Sequence, residues 1–232
     1  MKALDSVAEE YLFPTPDRLV DRAILNMVAD YVIGRLPGER ALELGIGDQV
    51  WTEKLCAWFP SVTTVDGSLE LVTQLQEKGY NAVWSLFENY VPEEKFDIVV
   101  ATYVLEHVDD PELILYLTRE NWLEEGGYLA VVVPHALSLH RRLAVAMGLS
   151  SYPGQLGESD IRMGHQHCFT CFEMERLLTD YGFSVVLKKG MFSKILPNRF
   201  LSKEHLQGLF KLGLSLPIEY SALIFFLAHK HD

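Results

Sequence analysis

Cysteine and long apolar runs are scarce in this chain. Its 232 residues include three cysteines, too few for a disulfide framework at this length, so we expect a reducing compartment. The longest apolar run, Tyr220 to Ala228, is too short to span a bilayer. The residues after Lys2 do not form the apolar block of a signal peptide. These absences predict a cytoplasmic protein.

Positive charge is also in short supply. Lys and Arg number 20 against 32 Asp and Glu, which gives a formal net charge of −12. Basic residues cluster only at Arg141-Arg142 and Lys188-Lys189, and neither pair is interleaved with aromatic residues. Nucleic-acid binders need basic surface to neutralise phosphates, and polybasic segments are what bind anionic lipids. We therefore expect neither a nucleic-acid nor a membrane partner.

Residues 40–48 are the most informative stretch that is present. A strand-like apolar run leads into Glu43, and Gly45 and Gly47 follow with one residue between them. Glycines allow a sharp turn there and let a ligand lie directly on the backbone. A second β-rich run ends at Asp66, and an acid at the end of the second strand of a βαβ unit can accept both hydroxyls of a ribose. The pattern indicates a nucleoside-containing ligand, although an ordinary strand-to-helix turn with two incidental glycines is the alternative.

Glycines that would bind phosphate are missing. The dinucleotide fingerprint needs a third glycine at the position of Val50. No Gly-Lys-Ser/Thr follows Gly45 and Gly47, so a P-loop is excluded as well. A nucleoside ligand without phosphates fits better than NAD or FAD, and Glu43 suits a ligand that carries positive charge.

Strand-like and helix-like patterns alternate along the chain. Helices are predicted over about 17–34, 50–58, 68–79, 110–126, 172–181 and 203–212, and strands over about 40–44, 62–66, 81–85, 96–101, 128–133, 183–190 and 220–229. Pro111 after Asp110 is typical of a helix start, and Gly126 of its end. We expect an α/β fold with a doubly wound, mostly parallel seven-stranded sheet and helices on both faces. A single domain is expected over residues 1–232.

The motifs resemble those of the class I S-adenosylmethionine-dependent methyltransferases, and especially of members that act on small molecules. Glu43 and the two glycines match that family's first motif, and Asp66 matches its ribose-binding acid. Residues 96–111, which contain Leu-Glu-His, resemble the family's fourth strand and the loop after it. Residues 126–134 resemble strand five after its Gly-Gly turn. Gln49 departs from the pattern, because the family usually has a small residue there.

This resemblance implies a Rossmann-like methyltransferase fold with an antiparallel last strand. It also implies S-adenosylmethionine as the cofactor and S-adenosylhomocysteine as the product. The implied cofactor-binding residues are Glu43, Gly45, Gly47, Asp66, Gly67, Ser68, Ser85, Leu86 and Thr102.

Three segments exceed what the bare fold requires. Residues 1–36 hold a helix and an aromatic stretch with Tyr11 and Phe13, which could close over the pocket or pack as an anchored tail. Residues 134–169 form an insertion at the sheet edge where open α/β sheets bind substrate. Residues 191–219 carry a helix that we expect to cover apolar sheet. The candidate substrate-binding residues are Tyr11, His140, Arg141, Arg142, Tyr152, His165 and His167.

Arg141 and Arg142 bear on the chemistry of the substrate. Guanidinium groups bind carboxylates and phosphates in a bidentate manner, so a double arginine suggests an anionic small molecule. Leu139, Leu143 and Met147 recur at helical spacing, however, and the arginines could instead lie on the exposed face of a helix.

Histidines and cysteines in one short stretch raise the question of zinc. His165, His167, Cys168 and Cys171 are all zinc-type ligands. Their spacing is poor, because the two cysteines straddle a predicted helix start and no distant pair completes the set. We expect no metal and interpret the two histidines as substrate-loop residues.

Methyl transfer to nitrogen or oxygen can also require removal of a proton. Histidine is the usual acceptor near neutral pH. His107 follows strand four, at the rim where the methyl group should point, and is the first catalytic candidate; His135, after strand five, is the second. A hydrogen bond within the loop or at a helix cap is the alternative role for His107.

The predicted function is transfer of a methyl group from S-adenosylmethionine to nitrogen or oxygen of a small metabolite, with an anionic one as an option. Two alternatives stay open. One is a methyltransferase for protein side chains, and the other is a non-catalytic cofactor-binding module on the same fold. The oligomeric state is not predicted.

Overall fold

The structure, a computed structural model, describes residues 16–195 and 200–231. One sheet of seven strands runs in the order β3-β2-β1-β4-β5-β7-β6. The neighbours among β1 to β5 pair in parallel, whereas β7 is antiparallel to both β5 and β6. The strands are β1 Arg40–Leu44, β2 Ser61–Asp66, β3 Ala82–Trp84, β4 Phe96–Thr102, β5 Leu123–Pro134, β6 Phe183–Met191 and β7 Leu223–Lys230. The predicted fold class is confirmed.

Eight α-helices flank this sheet within the described residues. Side-chain caps fix three of their starts, since Ser68, Asp110 and Thr170 each accept a backbone N–H of the following first turn. The helices are α1 Pro16–Ile33, α2 Val50–Trp58, α3 Leu69–Glu77, α4 Pro111–Leu117, α5 Leu139–Ala146, α6 Glu158–Arg162, α7 Cys171–Asp180 and α8 Lys203–Ser215. None of them is long and apolar enough to cross a membrane.

The core has two layers because alternate strand residues point to opposite faces. In β4, Ile98 and Val100 pack in the layer that contains α1 and α2, while Val99 packs in the layer that contains α4 and α7. Leu206 and Leu209 of α8 are buried in the first of these layers. The expectation that the helix of residues 191–219 covers apolar sheet is therefore confirmed.

The helix predicted over 110–126 is wrong in its second half. The α-helix ends at Leu117, a π-helical turn follows over Thr118–Trp122, and β5 begins at Leu123. Trp122 is fully buried, and its indole N–H donates to the Tyr90 carbonyl at 3.1 Å. Burial of this large ring and pairing of Leu123 with Phe96 outweigh the helical propensity of the intervening residues.

The parallel strands bring four loops to one edge of the sheet. Leu44 at the end of β1 lies opposite Ala101 of β4, and Asp66 at the end of β2 lies opposite Trp84 of β3. The loops after β1, β2, β3 and β4 therefore share the carboxyl edge, where open α/β sheets bind their ligands.

Candidate active site

The loop after β1 makes the tight turn that its glycines predict. Gly45 and Gly47 have φ angles of +78° and +54°, a region that side chains with a Cβ rarely adopt. A Cβ on Gly45 would lie 3.2 Å from Cγ2 of Val104, in the loop after β4. The bare backbone of the first loop therefore lies against the start of the fourth-strand loop.

Asp66 ties the second strand to this glycine loop. Its Oδ2 accepts the backbone N–H of Ile46 at 2.8 Å, and its Oδ1 accepts the N–H of Ser68 at 2.7 Å. The indole N–H of Trp84 donates to the Gly67 carbonyl at 3.1 Å. The carboxylate is thus fixed at the mouth of the glycine turn, in the position of a ribose-binding acid.

Apolar side chains stand exposed beside Asp66. Trp84 is 60% exposed and Leu86 is 48% exposed, both at the carboxyl end of β3. Between them, Ser85 donates its hydroxyl to the Leu86 carbonyl at 2.8 Å, and its backbone N–H donates to Asp66 at 3.1 Å. Exposed apolar surface next to the predicted ribose-binding acid would suit the flat face of a nucleobase.

Glu43 is buried in β1 beneath the start of α2. Its Oε2 accepts the hydroxyls of Thr52 and Thr64 at 2.6 and 2.7 Å. Its Oε1 is buried and has no hydrogen-bond donor among the described residues. Burial raises the pKa of Glu43 to about 8, with a smaller contribution from the charge of Asp66.

Replacement of Glu43 by glutamine is expected to make the stability of the protein less dependent on pH. Because its folded pKa lies above the ordinary value of 4.5, the stability that Glu43 contributes is fully present below that value and is lost as pH rises through about 8. Glu43→Gln stays neutral and should gain on the order of 3 kcal/mol in unfolding free energy, relative to the wild type, between pH 5 and 8. Urea unfolding across this range measures it, with the exposed Glu77→Gln on α3 as control. Parallel pH profiles for wild type and Glu43→Gln would refute this account.

Gln49 adopts the left-handed conformation that a small residue would favour, with φ of 69°. Its side chain turns toward α3. The amide donates to Gln74 Oε1 at 3.1 Å, and its oxygen accepts from Lys78 Nζ. These contacts show how the chain accommodates Gln49 in place of the family's small residue.

The end of β4 continues into a strained turn. Thr102 is buried, and Tyr103 has a φ angle of +58°, which is rare for a bulky residue. The Tyr103 hydroxyl is buried and finds no hydrogen-bond partner in residues 16–195 or 200–231. Burial first, and then the charges of Glu106, Asp21 and Asp48, raise the Tyr103 pKa well above its ordinary value. Tyr103 thus begins the loop after β4 with a strained backbone and a buried hydroxyl.

A polar cluster contains Glu106, His107 and His165, of which Glu106 is buried and the two histidines are half-buried. One potential ligand atom of each residue lies within 4.8 Å of those of the other two. Glu106 is fully buried, and neither of its carboxylate oxygens has a hydrogen-bond donor in the described part of the chain. The two imidazole rings meet edge to face, with centroids 4.6 Å apart. Burial raises the Glu106 pKa to about 8, and burial together with His165 lowers the His107 pKa to about 4.

The segment with His165 is fastened to the loop after β4 by hydrogen bonds. The Gln166 backbone N–H donates to the Glu106 carbonyl at 2.7 Å, and its side-chain amide donates to the His107 carbonyl at 2.6 Å. His167 donates from Nε2 to the Val108 carbonyl at 2.9 Å. The end of the 134–169 insertion therefore covers the loop after β4.

A family model for the methyltransferase domain matches residues 9–188, more than half of the chain. The chain belongs to this methyltransferase family. Its cofactor is S-adenosylmethionine, and the turn at Gly45 and the carboxylate of Asp66 fit a nucleoside ligand. When bound, this cofactor supplies an electrophilic methyl group on its sulfonium. The contacts of individual cofactor residues remain predictions.

The methyltransferase shares its fold with solved structures of low sequence identity. A methyltransferase from Thermotoga maritima, described as a possible histamine N-methyltransferase, has a TM-score of 0.66 and 19% identity over 91% of both chains. The N-methyltransferase NodS from Bradyrhizobium japonicum, solved with S-adenosylhomocysteine, has a TM-score of 0.61 and 13% identity over 100% of both chains. A methyltransferase from Archaeoglobus fulgidus has a TM-score of 0.61 and 16% identity, covering 96% of this chain and 97% of the other. No curated protein matches by sequence.

The two arginines of the methyltransferase differ in what they contact. Arg141 donates to Asp160 Oδ2 and to the Gln155 carbonyl, both at 2.9 Å, and its side chain is 12% exposed. Arg142 is exposed, donates from Nε to the Leu137 carbonyl at 2.6 Å and lies 5.6 Å from the ring centre of Tyr220. Arg141 therefore stabilises the insertion by pairing with Asp160 and Gln155. Arg142 is the more exposed of the two arginines and is thus the one with a guanidinium available to bind a carboxylate or phosphate.

The remaining substrate-side predictions fall in three environments. His135 is buried and donates from Nδ1 to the Ser221 carbonyl at 3.2 Å, and burial lowers its pKa. His140 lies in the insertion with a buried Nδ1 that has no partner among the described residues, and burial lowers its pKa to about 3. Tyr152 is 59% exposed. Tyr11, like Phe13, lies outside the described residues.

Glu106, Tyr103 and Asp160 are site residues that sequence reasoning did not single out. Glu106 stands inside the Leu-Glu-His signal, but its burial without a hydrogen-bond partner in the described residues is visible only in the folded chain. Tyr103 follows the last residue of β4, and residues at the carboxyl ends of parallel strands are those that line ligand sites in open α/β sheets. Asp160 had no signal in the sequence, because its partners Arg141 and His165 are met only in the folded insertion.

Proposed function

We propose that this methyltransferase transfers the methyl group of S-adenosylmethionine to nitrogen or oxygen of a small metabolite. The observation that carries the proposal is the cluster of Glu106, His107 and His165 at the carboxyl end of β4, in which Glu106 is buried. The loop that carries Glu106 and His107 lies against the glycine loop, since a Cβ on Gly45 would lie 3.2 Å from Cγ2 of Val104. An acceptor held by the cluster would thus lie beside the cofactor loop.

His107 can accept a hydrogen bond from an acceptor N–H or O–H. Its burial favours the neutral imidazole, which has a lone pair for this purpose. That hydrogen bond would align the nucleophile's lone pair with the methyl group and receive the proton as the new bond forms. Alignment of this kind supplies up to about 7–11 kcal/mol in intramolecular reactions. His135 remains the second candidate, because its donation from Nδ1 leaves Nε2 as an acceptor.

The small size of the acceptor is supported by the insertion. Gln166 and His167 fasten the insertion onto the loop after β4, which reduces the open groove that a protein substrate would need. Protein side-chain methylation is therefore the weaker candidate. The descriptions of the Thermotoga and Bradyrhizobium neighbours as N-methyltransferases favour nitrogen by analogy alone. An anionic acceptor stays a prediction that depends on Arg142.

A matched acceptor screen tests this proposal. Purified protein with S-adenosylmethionine is offered pairs of small amines and alcohols that differ only in a carboxylate or phosphate, and S-adenosylhomocysteine release is measured. We expect turnover of some small acceptors, with Arg142→Ala raising KM for the anionic member of a pair and leaving the neutral member unchanged. Methylation of peptides but of no small molecule would overturn the proposal.

A further inference from the structure

We propose that Glu106, His107 and His165 form a binding site for a divalent transition-metal ion of the zinc type. One carboxylate oxygen and two imidazole nitrogens are a donor set that zinc and its first-row neighbours bind. Within residues 16–195 and 200–231, this is the one group of three or more His, Cys, Asp or Glu residues whose ligand atoms lie within 4.8 Å of one another. The site differs from the sequence expectation of no metal.

Glu106 is the observation that points to a cation. It is fully buried, and its carboxylate oxygens accept no hydrogen bond from any other described residue. A buried carboxylate without a partner is costly, and natural proteins pair such groups or use them to coordinate metals. The atoms nearest to Glu106 in the cluster belong to two histidines, which supply lone pairs to a metal when they are neutral.

The histidines are oriented as metal ligands usually are. Nδ1 of His165 lies 3.5 Å from Oδ1 of Asp160, which leaves Nε2 as its ligand atom, and the His165 side chain is 9% exposed. The His107 ring contacts the backbone of Gly164. Metal-binding histidines almost always direct their second nitrogen to a carboxylate, a carbonyl or water, which fixes the ring and its tautomer.

The backbone holds the three ligands together before any metal binds. Two successive N–H groups, of Gln166 and His167, donate to the Glu106 carbonyl at 2.7 and 3.2 Å. The His165 N–H donates to the Asp160 carbonyl at 2.9 Å. Zinc bonds of about 2.0–2.2 Å would require the ligand atoms to approach one another somewhat further, which side-chain rotation can supply.

The other zinc-type residues of this stretch do not join the cluster. His167 directs Nε2 to the Val108 carbonyl as a donor. Cys168 and Cys171 are free thiols, and burial raises the pKa of both. Thiolate ligands would need that proton removed. The fold therefore selects Glu106 and His107, from the loop after β4, as the partners of His165.

Direct metal titration tests the site without cofactor or acceptor. Full-length protein treated with a chelator is titrated with Co²⁺, whose visible absorption reports coordination by nitrogen and oxygen, and Zn²⁺ is then added as competitor. We expect one equivalent of Co²⁺ to bind and Zn²⁺ to displace it. Glu106→Gln keeps the size of the side chain and should weaken Co²⁺ binding at least about 100-fold, as should His165→Ala, by analogy with the losses seen even for residues that only orient ligands.

His167→Gln is the matched control from the same loop, because glutamine can still donate to the Val108 carbonyl. It should bind Co²⁺ like the wild type, and thermal melting confirms that each variant is folded. Absence of a stoichiometric Co²⁺ complex, or Co²⁺ binding by Glu106→Gln and His165→Ala with the affinity of the wild type, would overturn the metal site.

A bound cation could coordinate an oxygen of the methyl acceptor, and this role rests on the proposed function. The Co²⁺ titration itself does not depend on the proposed function. Failure of metal binding would leave His107 as the proton acceptor of the proposed function, whereas failure of the acceptor screen would leave the metal site standing. The two failures are therefore distinguishable. The single lone pair of neutral His107 cannot hold a metal ion and accept a proton at the same time, so a bound ion would replace its role as proton acceptor.

Discussion

Asp66→Ala is expected to weaken binding of S-adenosylmethionine by on the order of 100-fold. The carboxylate accepts the backbone N–H groups of Ile46 and Ser68, and hydrogen bonds to a charged group contribute about 1.5–3 kcal/mol each. Its loss would release the glycine loop and remove the predicted ribose partner, and about 2.8 kcal/mol corresponds to a 100-fold change in Kd. Calorimetric titration with S-adenosylmethionine and S-adenosylhomocysteine measures the effect.

Two variants separate this effect from general damage. Glu77→Ala removes an exposed acid at the far end of α3 and should bind the cofactor like the wild type. Asp66→Asn keeps the shape but not the charge, and an intermediate Kd is expected. A Kd for Asp66→Ala within threefold of the wild-type value would show that Asp66 neither holds the glycine loop for the cofactor nor binds its ribose.

His107→Ala is expected to lower kcat by about 10²–10⁴, the usual contribution of a positioned proton acceptor. His107 lies in the cluster with Glu106, which finds no partner elsewhere in the described chain. Removal of the imidazole takes away the group that aligns the acceptor and receives its proton. The Kd for S-adenosylmethionine should stay the same, because none of the predicted cofactor residues belongs to the cluster.

His135→Asn provides the comparison for this experiment. The asparagine amide can replace Nδ1 as a donor to the Ser221 carbonyl, so the fold is preserved while Nε2 is lost. We expect kcat to fall by less than tenfold in this variant. If kcat falls more in His135→Asn than in His107→Ala, the proton acceptor is His135 and the assignment to His107 is wrong.

Most of the fold could be predicted because strands and helix caps have local signals. Ser68 and Thr170 cap their helices as residue type predicts, and β1 and β2 end at Leu44 and Asp66. The helix predicted to reach Gly126 failed, because burial of Trp122 depends on a neighbour from residue 90. A contact between residues so far apart in sequence has no local signal.

The glycine loop and the insertion differ in the same respect, since the sequence predicts the conformation of the first but not the contacts of the second. Gly45 and Gly47 were predicted correctly to form a tight turn, since positive φ angles are a property of the residue itself. The role of Arg141 could not be predicted, because its ion pair with Asp160 forms only when the insertion folds back on itself.

The amino-acid sequence by itself determined the family, the order of strands and helices and the glycine turn followed by Asp66, because each depends on residues close together in the chain. Only the tertiary structure decided that Glu106 and His107 would meet His165. Hydrogen bonds from Gln166 to the loop after β4 bring these residues together across the chain. Burial in that contact then leaves Glu106 without a donor, which no pattern of neighbouring residues could have indicated.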